Sequence, residues 1–202
     1  GVVEDACRRL GHETIRWACS DQPTGLLAFI ADNKPDAVFQ LVEKVYGSDK
    51  YASAVTSILA ELRVPFTGSG SAALDLSNDK VLAKLVLAAA DLPTPRWVYL
   101  LPEAPPETKA AWLLAAKELP KFILKPLGEH SSVGMDDSAV WNGTSASELL
   151  AEIERRTNSS GKQYFAEEFI DGREFNLSLL AGPNGPQVLP PAEIDFTNFP
   201  EG

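Results

Sequence analysis

Short strand-like runs alternate with helix-length amphipathic segments along the first third of the chain. This alternation limits the available folds more than any other feature. Val2, Val3, Ala6 and Leu10 mark a helix over 1–10, which Gly11 stops. Thr14-Ile15-Arg16-Trp17-Ala18-Cys19 reads as a strand, 24–33 as a helix and Ala37-Val38-Phe39-Gln40-Leu41 as a second strand. A helix over 51–62 and the short strand Val64-Pro65-Phe66 follow. Strands and helices in this order predict βαβ units and a parallel sheet. Open α/β sheets bind ligands beyond the carboxyl ends of their strands. That rule singles out the loop after residue 41, with Glu43, Lys44, Tyr46 and Asp49. Thr67-Gly68-Ser69-Gly70-Ser71 reads as a turn. It lacks both the Gly-Lys-Ser/Thr ending of a P-loop and the third glycine of a dinucleotide fingerprint.

The pattern then changes. Ser77-Asn78-Asp79 starts a helix, capped by Asn78 or Ser77, with Leu82, Leu85, Val86 and Ala89 as its apolar stripe. Lys80 and Lys84 share one face of it. Leu92-Pro93-Thr94-Pro95 ends this element, and Trp97 to Leu101 is predicted to be a strand. Pro102 to Pro106 is a rigid link into a helix over 107–118. Lys121 to Pro126 is a strand, and 128–134 is a loop of small residues. Ser145-Ala146-Ser147-Glu148 is a capping box ahead of Leu149, Leu150 and Ile153. Gln163 to Ala166 is a strand that runs into Glu167-Glu168-Phe169-Ile170, and Asp171-Gly172 is a tight turn. Phe175 to Leu180 and Gln187 to Leu189 form a hairpin around Gly182-Pro183-Asn184-Gly185. Parallel α/β followed by α+β hairpins implies at least two subdomains.

Composition removes several functions. The net charge of −10 disfavours binding of nucleic acid through an overall field, because phosphate contacts need excess lysine and arginine. A few focused lysines can still hold a small anion. No apolar run is long enough to span a membrane. Cys7 and Cys19 form neither a disulfide framework nor a C-x-x-C pair, and read as buried thiols of a reducing cytosol. No G-x-S-x-G occurs, and His12 and His130 have no metal-spaced partner.

The remaining constellation has the shape of a nucleotide site. Lys125 ends a strand before a loop holding Gly128, Ser131, Ser132 and Gly134. Glycines let backbone N–H groups turn toward an anion, hydroxyls add donors, and a rim lysine supplies a compact charge for phosphate. Lys80 begins an earlier element. Glu167-Glu168-Phe169-Ile170 sets acidic acceptors beside apolar side chains, the mixture an adenine requires, and Glu174 follows a turn within reach of ribose hydroxyls. Taken singly, a strand-end lysine or a Glu-Glu pair also fits a solvated surface; their order and spacing favour the nucleotide.

These residues resemble the D-alanine–D-alanine ligases of the ATP-grasp superfamily. The matching stretches are Pro65-Phe66-Thr67-Gly68-Ser69-Gly70, Asn78-Asp79-Lys80 with Lys84, Leu92-Pro93-Thr94-Pro95 and Ile123-Leu124-Lys125-Pro126. They continue through Ser131-Ser132-Val133-Gly134, Glu167 to Glu174, and Leu189-Pro190 with Glu193-Ile194. The resemblance implies an α/β and α+β fold, with a Rossmann-like N-terminal domain followed by a truncated ATP-grasp domain. Its expected segments are 1–75 for the Rossmann-like part, 76–168 for the small ATP-grasp subdomain and 169–202 for the start of the C-terminal subdomain.

By position, the resemblance gives Lys80 and Lys125 to the ATP phosphates. The 128–134 loop would fold over them, with Ser131, the expected catalytic residue, and Ser132 near phosphate and substrate. Glu167 would accept from the adenine amino group, Phe169 would lie beside the ring, Ile170 would offer its backbone N–H and Glu174 would bind ribose. His130 stands where many members have glycine, and Phe169 where some have tryptophan. The implied reaction is ATP-dependent amide formation through an acylphosphate, for peptidoglycan and cell-wall synthesis in the cytoplasm. Its partners would be small molecules (an amino acid and ATP), with no nucleic acid, no membrane and a homodimer. Magnesium is the implied metal, with its ligands and a catalytic arginine expected beyond the Leu189 to Ile194 stretch. The first strand and an N-terminal substrate-binding glutamate are also expected outside this chain. Both ends therefore read as cuts in a longer protein, and the chain alone is expected to be inactive. The alternatives are another ATP-grasp ligase with a different carboxylate and amine, and a non-catalytic ATP-binding module.

Overall fold

The computed structural model describes residues 1–19, 23–100, 120–128, 137–143 and 145–197. The chain divides into two compact units: Gly1–Pro93 with Leu127–Val133, and Thr94–Pro126 with Gly134–Gly202. No helix among the described residues is long and apolar enough to cross a membrane.

The first unit is mostly helical: α1 (Val2–Arg9), α2 (Gly25–Asn33), a 3₁₀ turn (Asp49–Tyr51), α3 (Ser53–Glu61), α4 (Ser71–Asn78) and α5 (Lys80–Ala89). Its core is Leu26, Ile30, Val45, Val55 and Leu59, flanked by Trp17, Phe29, Val38 and Phe66. Helix α1 buries none of its residues; Glu4 on it pairs with Arg8 and Arg16.

The expected strands are largely replaced here. Residues 12–19 are irregular and enter no described ladder. The runs at 37–41 and 64–66 meet in a single parallel bridge, Val38 with Phe66. Two local groups stop it from growing. Pro65 has no N–H to donate. The Gln40 N–H, next in line to extend the ladder, donates to the Thr67 hydroxyl at 3.0 Å, so a side chain does what a neighbouring strand's carbonyl would do.

Helix α5 also departs from expectation. Its N-cap is Asp79, whose Oδ1 accepts from the N–H groups of Val81 (3.0 Å) and Leu82 (2.9 Å). Asn78 instead ends α4, and its amide donates to the Asp49 carbonyl at 2.9 Å. The face turned inward holds Val81 and Lys84, while Leu82, Leu85 and Val86 are exposed. Hydrogen bonds from Lys80 to the Leu127 carbonyl help set this rotation of the helix. Replacing Asp79 with alanine is expected to cost about 1 kcal/mol, as for other lost N-caps. Thermal unfolding of the variant measures it, and an unchanged midpoint would mean the cap contributes nothing.

The second unit is built on an antiparallel sheet of β1 (Trp97–Tyr99), β2 (Phe122–Pro126), β3 (Val140–Trp141) and β4 (Tyr164–Glu168), in the order β1-β4-β2-β3. Helix α6 (Ala146–Ser160) packs on one face. Ser145 caps it by accepting from the Glu148 N–H at 3.2 Å, as the Ser-x-x-Glu pattern predicts, and Gly161 ends it at φ 69°. Alternation along the strands then sorts the side chains. Val98, Phe122, Leu124 and Ala166 point to α6 and form the core with Leu149 and Ile153.

Beyond β4, β5 (Phe175–Asn176) pairs with β8 (Ala192–Glu193), and β6 (Leu179–Leu180) pairs with β7 (Gln187–Val188) around the 182–185 turn. The predicted hairpin is present, with its leucines exposed. The predicted link at 102–106 and helix at 107–118 lie outside the described residues.

On α6, Glu152 accepts from Arg155 and Arg156, each at 2.7 Å. Arg155 first, then Arg156, holds its carboxyl down at about 2. A depressed folded-state pKa stabilises above the unfolded value of 4.5, and that stabilisation is lost as pH falls toward 2. Arg155 is mostly exposed, so screening limits the gain to about 1 kcal/mol. Urea unfolding of the wild type and Glu152→Gln should show their stabilities converging over that acid range. Parallel curves would remove the pair from the balance.

Candidate functional site

The register of β2 on β4 sets Ile123 opposite Glu167 and Lys125 opposite Phe165. Pairing of β1 sets Trp97 opposite Glu167. All of these lie on the face turned away from α6, because their neighbours Leu124, Ala166 and Val98 face the helix. On that face the Lys125 Nζ lies 2.6 Å from Glu167 Oε1. Glu167 is 8% exposed, so its carboxylate is largely removed from water and a charged donor offsets much of that cost.

The next glutamate points elsewhere. Glu168 lies opposite Phe122 in register and binds Arg96, whose Nε donates to Oε1 at 2.8 Å and whose backbone N–H donates to Oε2 at 3.2 Å. The Arg96 hydrogen bond holds the Glu168 carboxyl below its ordinary value. The chain leaves the sheet directly afterwards. The Phe169 N–H donates to the Lys121 carbonyl at 2.8 Å, and the Lys121 ammonium sits 4.5 Å from the centre of the Phe169 ring. Ile170 is exposed. Gly172 has φ 139°, which only glycine adopts easily, and it turns the chain toward Glu174. Glu174 precedes β5, and its carbonyl accepts from the Ile194 N–H at 2.9 Å.

Of the residues singled out from sequence, Lys125 and Glu167 are therefore brought into contact, and Phe169 and Ile170 follow directly from the same strand. Lys80 belongs to the first unit. It is the first residue of α5, with its Nζ 3.4 Å from the Leu127 carbonyl at the start of the glycine-containing loop. Gly128 has room for a Cβ, whose nearest neighbour would be the Asn78 carbonyl at 3.6 Å, so space does not require glycine there. Ser131, Ser132 and His130 lie outside the described residues. In the loop after residue 41, Lys44 pairs with the buried Asp49 at 3.5 Å, and the Tyr46 and Tyr51 rings meet edge to face. Arg96 carried no local signal. Its partner is 72 residues away, and only strand register brings the two together. Among the described residues no cluster of His, Cys, Asp or Glu could hold a metal ion.

No protein-family model matches the chain. Solved structures do. The D-alanine–D-alanine ligase of Coxiella burnetii aligns with a TM-score of 0.58 and 25% identity, over 79% of this chain and 44% of that one. The enzyme of Bacillus anthracis, complexed with ATP, aligns with a TM-score of 0.60 and 22% identity, over 86% and 52%. The fold is thus that of the ATP-grasp ligases, mixed helix and sheet, over about half of their length. The curated D-alanine–D-alanine ligase of Methylococcus capsulatus is 36% identical over 174 residues, which cover 85% of this chain and 52% of the relative. The chain belongs to the D-alanine–D-alanine ligase family. It spans about half the length of the curated relatives it matches.

Proposed function

We propose that this chain supplies the ATP-binding part of a ligase that joins two D-alanine molecules. The observation that carries the reading is the Lys125–Glu167 pair on the sheet face opposite α6, in a chain of this family. A lysine ammonium has three donors, so Lys125 can keep Glu167 and still meet a phosphate oxygen. Each carboxylate oxygen has two lone pairs, so Glu167 can accept from the adenine amino group as well as from its lysine, and the Ile170 N–H serves a ring nitrogen. Phe169 flanks the base, Glu174 takes the ribose hydroxyls, and Lys80 with Ser131 and Ser132 takes the remaining phosphate charge.

The carboxylate of the first D-alanine attacks the γ-phosphorus and expels ADP, giving an acylphosphate. The amine of the second attacks that carbonyl, loses a proton and expels inorganic phosphate. Both steps develop negative charge on phosphate oxygens, which lysines and backbone N–H groups stabilise. The described residues offer no magnesium site. The segments 1–75, 76–168 and 169–202 remain our reading of how the Rossmann-like and ATP-grasp parts divide, and cytoplasmic location with a homodimeric assembly completes it.

The 202-residue chain should bind ATP by calorimetry and release little phosphate with D-alanine, because it spans half of its relatives. A protein carrying the remaining family length should release phosphate and D-alanyl-D-alanine. Absence of ATP binding by the chain would overturn the reading. Phosphate release by the chain alone, at the longer protein's rate, would overturn its division of labour.

A further inference from the structure

We propose that Arg96 is a positioning residue that sets the preference of this site for a purine with an amino group at position 6; the inference rests on the ATP-binding reading above. Two adjacent carboxylates, Glu167 and Glu168, reach the end of β4 just before the segment proposed to meet the base. Only one of them should face it. A 6-amino group donates to a carboxylate, whereas a 6-oxo group is repelled by one. Selectivity therefore depends on a single acceptor held in one place.

Arg96 arranges this in two ways. Its guanidinium and its backbone N–H hold both oxygens of Glu168, on the strand face opposite Glu167. Its carbonyl accepts from the Glu168 N–H at 2.9 Å, immediately past the last β1–β4 pair, Trp97 with Glu167. The backbone is thereby fixed at the residue where the chain turns out of the sheet. The Phe169 N–H is already used by Lys121, so Ile170 is the first N–H past the strand without a described backbone acceptor. Releasing Glu168 would free a second carboxylate and loosen the Ile170 N–H together. Planar, two-point fixation of a carboxylate is a property of arginine that lysine does not reproduce.

The test measures binding of ATP, inosine triphosphate and inorganic triphosphate to the protein and to Arg96→Ala, Arg96→Lys and Glu168→Gln. Inosine triphosphate differs from ATP at purine position 6, and inorganic triphosphate reads the phosphate cradle alone. The wild type should prefer ATP over inosine triphosphate. Arg96→Ala should reduce that preference about fivefold or more with triphosphate affinity unchanged, a span typical of one ordinary hydrogen bond. Arg96→Lys should fall between. Glu168→Gln keeps the shape of the side chain, guards against a misfolded alanine variant, and should shift the preference in the same direction. An unchanged preference in Arg96→Ala or Glu168→Gln, or equal losses for all three ligands, would overturn the inference and leave the ATP-binding reading standing. A wild type that binds none of the ligands would overturn the ATP-binding reading and this inference with it.

Discussion

Phe122→Ala is expected to destabilise the second unit by about 3–5 kcal/mol, the range for removing a large side chain from a core. Phe122 is fully buried on a strand with partners on both sides, and its ring meets Trp141 edge to face at 6.1 Å. Sheet and helix are both committed there, since Leu149 and Ile153 of α6 close over the same cluster. Close packing leaves little for the surroundings to collapse into, so much of the cavity would persist. A domain has about 5–15 kcal/mol in all, so this one change removes a large share of it. Urea unfolding gives the loss directly. A loss below about 1 kcal/mol would mean that the face toward α6 is not the core that holds this unit.

Lys125→Ala should weaken ATP binding about ten- to hundredfold, the value of a lost charge-assisted contact at 1.5–3 kcal/mol. Lys44→Ala should leave it unchanged. The two lysines carry the same charge but differ in their surroundings. Lys44 is half-exposed beside Asp49 in the first unit, whereas Lys125 is only 28% exposed on a strand and is fixed to a buried glutamate. Removing Lys125 also strips Glu167 of a charged donor, which raises the cost of holding that carboxylate out of water. Calorimetry with ATP compares the variants, and equal dissociation constants would count against the assignment of Lys125 to phosphate.

Local pattern made some elements readable because local physics forms them. Strict alternation of buried and half-buried positions in Phe122 to Pro126 requires a strand with one apolar face. Ser145 with Glu148, ahead of Leu149 and Ile153, starts a helix whatever lies around it, because the cap satisfies an N–H that the helix leaves open. The 182–185 turn closes its own hairpin. The first unit shows the limit of such reading. Its strand-like runs have the right side chains, but a strand is completed by a partner. Pro65 and the Thr67 hydroxyl restrict pairing to one bridge. The stripe of α5 was legible as a stripe, yet which face points inward depends on the bonds to Leu127 and the Asp79 cap, and these turn Lys84 in and Leu85 out.

The same division runs through the candidate site. Residue type and order along the chain singled out Lys125 and the run Glu167 to Ile170 as candidates, because nucleotide chemistry needs those groups and the strand-to-loop pattern offers them, and the resemblance chose Glu167 within the run. The partners were not contained in that order. Glu167 meets Lys125 across 42 residues and Glu168 meets Arg96 across 72, and nothing local distinguishes two consecutive glutamates. Antiparallel register separates them: successive side chains leave opposite faces of a strand, so one carboxylate joins the lysine and the other the arginine. A slip of one residue in that pairing would exchange them, and the apolar core behind β4, with Ala166 against Leu149 and Ile153, prevents it.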